Sequence, residues 1–273
     1  VEGKPPEATF AARVYFMPKK LPSLLSTQRA RELAVKMGFT DPPVEKSPTE
    51  FQFVSPADTL RTFDLDTTTL NFRYKYAFEN RADIFTGENL LNKDQALGQV
   101  REFILQYHLF DDSLLNGDIE THYVTYDPGP GIFRPSESIA QATAVRIDYR
   151  RKQIGDFPVL SPSFFKSYNY ALFTNNPQIK IADLSYTYWP IAFDNYGTYP
   201  LKSSDAAWQD LIDGYALVIN LGSNNPENII IRKIYLAYYD SEEPHMYLQP
   251  IFVFEGDNDF VAYLPAILPQ WLE

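Results

Sequence analysis

The hydrophobic and polar positions of this chain alternate with a period of two along most of its length. The run "ATFAARVYFMP" reads as a strand on Phe10, Val14 and Phe16, stopped by Pro18. In "TLNFRYKYAF", Leu70, Phe72, Tyr74 and Tyr76 alternate with Asn71, Arg73 and Lys75, which predicts one buried and one wet face. "TEFQFVS", "TLRTFDLD", "DIETHYVTYD", "ATAVRIDYRRKQI", "SYNYALF", "IKIADLSYTYWPIAF", "YALVINLG", "IIIRKIYLAYYD", "YLQPIFVFEG" and "FVAYLPAIL" extend the β pattern. Three stretches break it with a 3.6-residue period. "LLSTQRARELAVKMGF" carries Ala30, Leu33, Ala34 and Met37 on one face, with Ser26 as its cap. "LLNKDQALGQVREFILQYHLF" carries Ala96, Val100, Phe103 and Tyr107 behind Asn92. "LKSSDAAWQDLIDG" carries Ala207, Trp208, Leu211 and Ile212 behind Ser203 or Ser204.

Aligning the caps Ser26, Asn92 and Ser203 places Ala30, Ala96 and Ala207 four residues on, then Ala34, Val100 and Leu211 eight residues on. A small residue at the fourth position lets a helix lie close to a sheet. The expectation is an α+β protein of helices packed on antiparallel sheets, in two or three repeated helix-plus-strands units. The boundaries read as a linker over 1–8, a first unit over 9–88, an aromatic-rich second unit over 89–198, and a third over 199–273.

Composition sharpens the picture. Of 273 residues 45% are hydrophobic and 15% aromatic, enough for a large core and rich in β formers. The net charge of −11 sets the surface against nucleic acid and against anionic lipid headgroups. The absence of cysteine removes disulfides, thiolate zinc sites and thiol catalysis. The opening "VEGKPPEAT" is polar and starts at Val1. It reads as what remains after cleavage or trimming of an anchor, with a cloning boundary as the plainer alternative.

The third unit resembles a known family. "YPLKSSDAAWQDLIDG" is followed by "IYLAYYD", by Gln249-Pro250-Ile251-Phe252-Val253-Phe254 and by Tyr263-Leu264-Pro265-Ala266-Ile267. This order over roughly 199–268, about a quarter of the chain, resembles the C-terminal part of the YycH/YycI regulatory ectodomains and, more broadly, PepSY-type α/β modules. The resemblance implies a bacterial ectodomain outside the cytoplasmic membrane, held by an N-terminal segment absent from this chain. It implies a regulatory role with a sensor kinase ectodomain as partner. The stretch 119–195 has no counterpart in it.

No enzyme motif accompanies these elements. Neither GxSxG, GxGxxG nor GxxxxGK[ST] occurs, and His108, His122 and His245 have no metal-binding spacing. No catalytic residue and no cofactor is assigned. Asp240 and Glu242, before Pro244, and Glu255, Asp257 and Asp259, around Gly256, supply carboxylates at the ends of neighbouring strands. Brought together they would suit Ca²⁺; apart they are turns that keep sheet edges soluble. The aromatic series Tyr168, Tyr170, Tyr186, Tyr188, Trp189 and Tyr196 offers rings with polar tips that suit a protein or peptide partner. The expected function is therefore a non-catalytic extracytoplasmic binding or regulatory ectodomain. Two alternatives stay open: an extracellular carbohydrate-binding protein or hydrolase with an acidic cleft, and a purely structural envelope domain.

Overall fold

The computed structural model describes residues 11–85, 90–226 and 228–271. The linker expected over 1–8 lies outside the described residues. In chain order the elements are β1 (Ala11–Phe16), α1 (Ser26–Lys36), β2 (Val44–Glu45), β3 (Glu50–Val54), β4 (Arg61–Asp66), β5 (Phe72–Tyr76), α2 (Lys93–Tyr107), α3 (Asp112–Leu115), β6 (Asp118–Asp127), β7 (Ile132–Pro135) and β8 (Ala144–Arg150). Then follow β9 (Val159–Leu160), β10 (Tyr170–Phe173), β11 (Ile181–Tyr186), β12 (Ala192–Pro200), α4 (Ser204–Ile212), β13 (Leu217–Asn220), β14 (Ile231–Tyr239), β15 (Tyr247–Gly256) and β16 (Val261–Pro265).

The strands form two sheets, one of seven and one of nine, and the protein is mostly β. This corrects the α+β expectation. Helices do not head repeated units: α1, α2 and α3 all belong to the compact unit 20–150 plus 168–188, and α4 alone belongs to the unit 1–19, 151–167 and 189–273. Residues on both sides of position 88 supply strands to the same nine-stranded sheet, so no helix-plus-strands period survives there. The small residues Ala30, Ala96 and Ala207 are fully buried, as close approach requires. That burial reflects the shared demand on any amphipathic helix, not an internal repeat.

The helix starts follow the sequence in two of three cases. Asn92 accepts from the Gln95 amide at 2.9 Å and Gln95 returns the bond, a full capping box. Ser203 accepts from the Ala206 amide at 3.1 Å. Ser26 does not cap α1; its hydroxyl accepts from the Ser23 amide, and Leu25 holds the cap position without a side-chain bond.

In the nine-stranded unit the order is β2-β3-β4-β5-β11-β10-β8-β6-β7. Phe72, Tyr74 and Tyr76 are buried as predicted, while Leu70 drops into a left-handed turn at φ 62° before the strand starts. Phe63 stacks on Phe39 at 5.5 Å, and Tyr186 stacks between Phe72 at 5.4 Å and Phe110 at 4.9 Å. A polar ladder crosses the same sheet. Arg73 grips Asp183 with two bonds of 3.1 and 2.7 Å, and the Tyr170 hydroxyl donates to the same carboxylate at 2.9 Å. Arg146 lies 3.9 Å above the Tyr170 ring and pairs with the buried Asp148. Arg150 pairs with Glu120 at 2.9 Å.

Burial pushes the Glu120 carboxyl up, but the bonds from Arg150 and His122 outweigh it and hold the group below its ordinary 4.5. A depressed carboxylate contributes stability above its unfolded value, and loses it as pH falls through the folded value. The melting temperature is therefore expected to drop as pH is lowered from neutrality to below 4.5, and Glu120→Gln should shrink that drop. A melt series in both proteins checks it; identical acid slopes would count against the Arg150 pair.

In the seven-stranded unit β15 is central. Phe252 and Phe254 join a core with Leu264, Ala262 and Ala207 of α4, while Ile251 and Val253 join another with Ala237, Val261 and Tyr263. A strand covered on both faces reads as an unbroken apolar run, which is what "PIFVF" is. Pro250 sits where the neighbour of β15 changes from β1, paired at Tyr247 and Leu248, to β16, paired from Ile251 onward. Its carbonyl accepts from Ala266 on that side, and its missing N–H falls in the gap.

Candidate functional site

The seven-stranded sheet ends at β12, which no strand among the described residues pairs on its outer side. β1 pairs with its inner side, from Ala11 opposite Pro200 to Tyr15 opposite Tyr196. The ladder then slips, so that Phe16 meets Ala192 and residues 193–195 have no partner on β1. Most of β12 is exposed, including Phe193 and Tyr196 at 55% and 44%. A solvent-exposed edge with aromatic side chains is the template on which another strand can add.

The aromatic rings of this edge are braced from beneath. The buried Tyr15 lies 5.5 Å from Phe193, 5.7 Å from Tyr196 and 5.7 Å from Tyr238. The Tyr238 hydroxyl donates to the Arg13 carbonyl at 2.9 Å, and burial pushes this phenol well up. The Arg13 guanidinium lies 4.4 Å above the Tyr196 ring. A hydrogen bond with Tyr15 and the nearby Tyr196 raise its pKa further, so the edge presents a fixed positive charge. The Tyr199 ring folds across Gly197, where a Cβ would stand 2.6 Å from it and push the ring aside. On the same side of β15, strand β13 pairs with β16 and exposes Leu217 and Val218. The rim therefore carries exposed apolar groups on two strands.

The six aromatics singled out in the sequence do not converge. Only Tyr196 stands on the edge. Trp189 is occupied within its own unit: its indole N–H donates to the Glu242 carbonyl at 3.0 Å, and its carbonyl accepts from Arg151 at 2.7 Å. Tyr186 is core, with Tyr188 stacked on it at 6.2 Å. Tyr170 belongs to the Asp183 ladder and Tyr168 is half-buried. Tyr15, Arg13 and Phe193 complete the edge. The apolar run "VYF" of β1 marks a strand in the sequence, whereas "AFDNYGTYP" of β12 carries Asp, Asn, Gly and Pro, which read as a turn and hide the strand.

The carboxylates also separate. β14 and β15 pair antiparallel from Ile231 opposite Gly256 to Tyr239 opposite Gln249. Asp240 and Glu242 therefore sit at the hairpin turn, and Glu255, Asp257 and Asp259 at the far end, roughly 20–25 Å away at the rise of a strand. This corrects the expectation that the two loops could meet. Asp240 pairs with the buried Arg151 at 2.8 Å. Asp257 takes two 2.7 Å bonds from Arg232, which hold its carboxyl below the usual range. Glu255 lies 3.5 Å from Lys233. The Asp259 carbonyl accepts from Asn220 at 2.7 Å, in a loop locked by Asn224 and Asn258. Among the described residues no three His, Asp or Glu side chains gather as a metal site. A glycosidase site needs two carboxylates flanking the scissile bond; the cleft beside α2 is lined by one carboxylate, Glu102.

No family model matches the chain, and no curated protein matches it. Among solved structures, an uncharacterized protein from Eubacterium rectale aligns over 94% of this chain and 82% of its own, at TM-score 0.50 and 9% identity. That likeness concerns the fold alone. The Bacillus megaterium YpeB C-terminal domain aligns over 92% of this chain and 95% of its own, at TM-score 0.36 and 10% identity. No helix among the described residues is long and apolar enough to cross a membrane.

Proposed function

We propose that this chain is a non-catalytic, extracytoplasmic protein-binding ectodomain of the YycH/YycI or PepSY kind, tethered to a bacterial membrane by a segment outside this sequence. It engages a partner by strand addition to β12, with Phe193 and Tyr196 as anchors. The observation that carries the reading is the exposed aromatic edge, braced by Tyr15 and left without an outer neighbour among the described residues. In this mode backbone hydrogen bonds give affinity and alternate side chains give selectivity. A sensor kinase ectodomain is the partner we favour, on the sequence resemblance of residues 199–268.

Photocrosslinking tests it. A benzophenone amino acid replaces Tyr196, or the exposed Val44 of the other unit, in the full protein in its own cells. A membrane-protein adduct from position 196 and none from 44 supports the reading. Equal yields, or no adduct from 196, overturns it. With that partner in hand, Tyr196→Ala is expected to weaken binding by about 30-fold, the loss typical of an aromatic anchor. Calorimetry with both proteins gives the ratio.

A further inference from the structure

One stretch of the nine-stranded unit reverses the sign of the chain. Residues 20–36, which include α1, carry Lys20, Arg29, Arg31 and Lys36 against one acid, Glu32, a local charge of +3 in a protein of −11. All five side chains are exposed. Lys20 donates to the Thr69 carbonyl at 3.1 Å, and Arg31 lies 5.7 Å from the Phe51 ring. Glu32 accepts from Gln28 at 2.8 Å, and Arg29, Arg31 and Lys36 hold no carboxylate among the described residues. Elsewhere in this unit Arg73, Arg81, Arg134, Arg146 and Arg150 each hold one.

The same stretch exposes apolar groups. Leu21, Leu24, Leu25 and Val35 are all exposed, Leu24 entirely. These are not the groups that hold the helix down, since α1 buries Ala30 and Ala34 on its other side. Leu24, Arg31, Val35 and Lys36 line one shallow groove along α1, so cations and apolar groups share a surface. A single exposed leucine is ordinary, but three in the turn 21–25 beside unpaired cations form a patch of the kind that marks an interaction site. The stretch contains no aromatic residue. Protein interfaces draw their anchors from Trp, Tyr and Arg seated in pockets, whereas leucines standing out among lysines and arginines suit the boundary between lipid headgroups and acyl chains.

We propose that this face of α1, with the turn before it, docks on an anionic lipid bilayer. Leu21, Leu24 and Leu25 enter the boundary below the headgroups. Arg29, Arg31 and Lys36 lay their stems along it and keep their charges at the lipid phosphates. The acids of the rest of the chain do not prevent this: at physiological salt a charge is screened beyond about 8 Å, so the cations in contact outweigh carboxylates farther off. The site lies in the nine-stranded unit and β12 in the seven-stranded one, so the inference does not rest on strand addition.

Co-sedimentation of the whole chain with vesicles of phosphatidylglycerol or of phosphatidylcholine tests it. The protein is expected to pellet with the first and to stay in solution with the second. Leu24→Ser should weaken binding by about tenfold, through the lost transfer of one leucine. Lys36→Gln should weaken it by about fivefold, the share of one cation at a charged membrane. Both side chains are exposed, so both variants should melt with the wild type. Lys152→Gln, an exposed cation of the other unit, should bind as the wild type does. No pelleting with phosphatidylglycerol, equal pelleting with both lipids, or equal binding by wild type and Leu24→Ser overturns the proposal. So does leucine-dependent pelleting without vesicles, which would assign the face to a second copy of this chain.

Discussion

Asp240→Ala is expected to lower the free energy of unfolding by roughly 3–5 kcal/mol, read by denaturant titration. Asp240 and Arg151 are both almost fully buried, with Oδ2 2.8 Å from Nε. Removing the carboxylate takes away the negative partner of a desolvated guanidinium that also donates to the Trp189 carbonyl. Breaking a buried ion pair costs far more than an exposed pair is worth. Replacing both members by apolar residues of similar volume, Arg151→Met with Asp240→Leu, should restore most of the loss. A single-variant loss below about 1 kcal/mol, the scale of a surface pair, would show that water reaches the pair.

Phe63→Ala should cost a similar 3–5 kcal/mol in the other unit. Phe63 is fully buried, stacked on Phe39 at 5.5 Å and within 6.3 Å of Phe53 and 5.3 Å of Phe72. Four rings from β3, β4, β5 and the segment after α1 meet there, so a void cannot close by moving one neighbour. Phe63→Leu keeps most of the volume and should lose much less. Chemical denaturation of the two variants measures the gap. Equal losses would mean that ring stacking, rather than filled volume, dominates the site.

Local periods were legible in the sequence, and long-range pairing was not. "PIFVF" announces a strand and Asn92 a helix start, each from residues within a few positions of one another; that this strand is covered on both faces shows only in the sheet. The sheets are assembled otherwise. β1, at the start of the chain, pairs with β12 and β15, and β5 pairs with β11 across more than a hundred positions. No local period records such partners, so three helices at wide spacing suggested repeats where two sheets exist. Adjacent arginines show the same limit. Arg150 holds Glu120 in the nine-stranded unit, and Arg151 holds Asp240 in the seven-stranded one, yet "YRRKQ" marks no boundary. The acidic loops suggested a cation site because composition does not say that a hairpin separates its two ends. The edge at β12 was half legible: Tyr196 stood out as an aromatic, but its brace, Tyr15, lies 181 positions earlier and is brought to it only by the ladder.

The central claim is that β12 is the surface on which a partner adds a strand. Amide hydrogen exchange over residues 193–199 tests it most directly, measured in the free protein and in complex with the partner captured through position 196. The account predicts that these amides slow sharply on binding, while those of β2 at the far edge of the nine-stranded sheet do not change. Unaltered exchange across β12, with protection appearing on other elements instead, would contradict it.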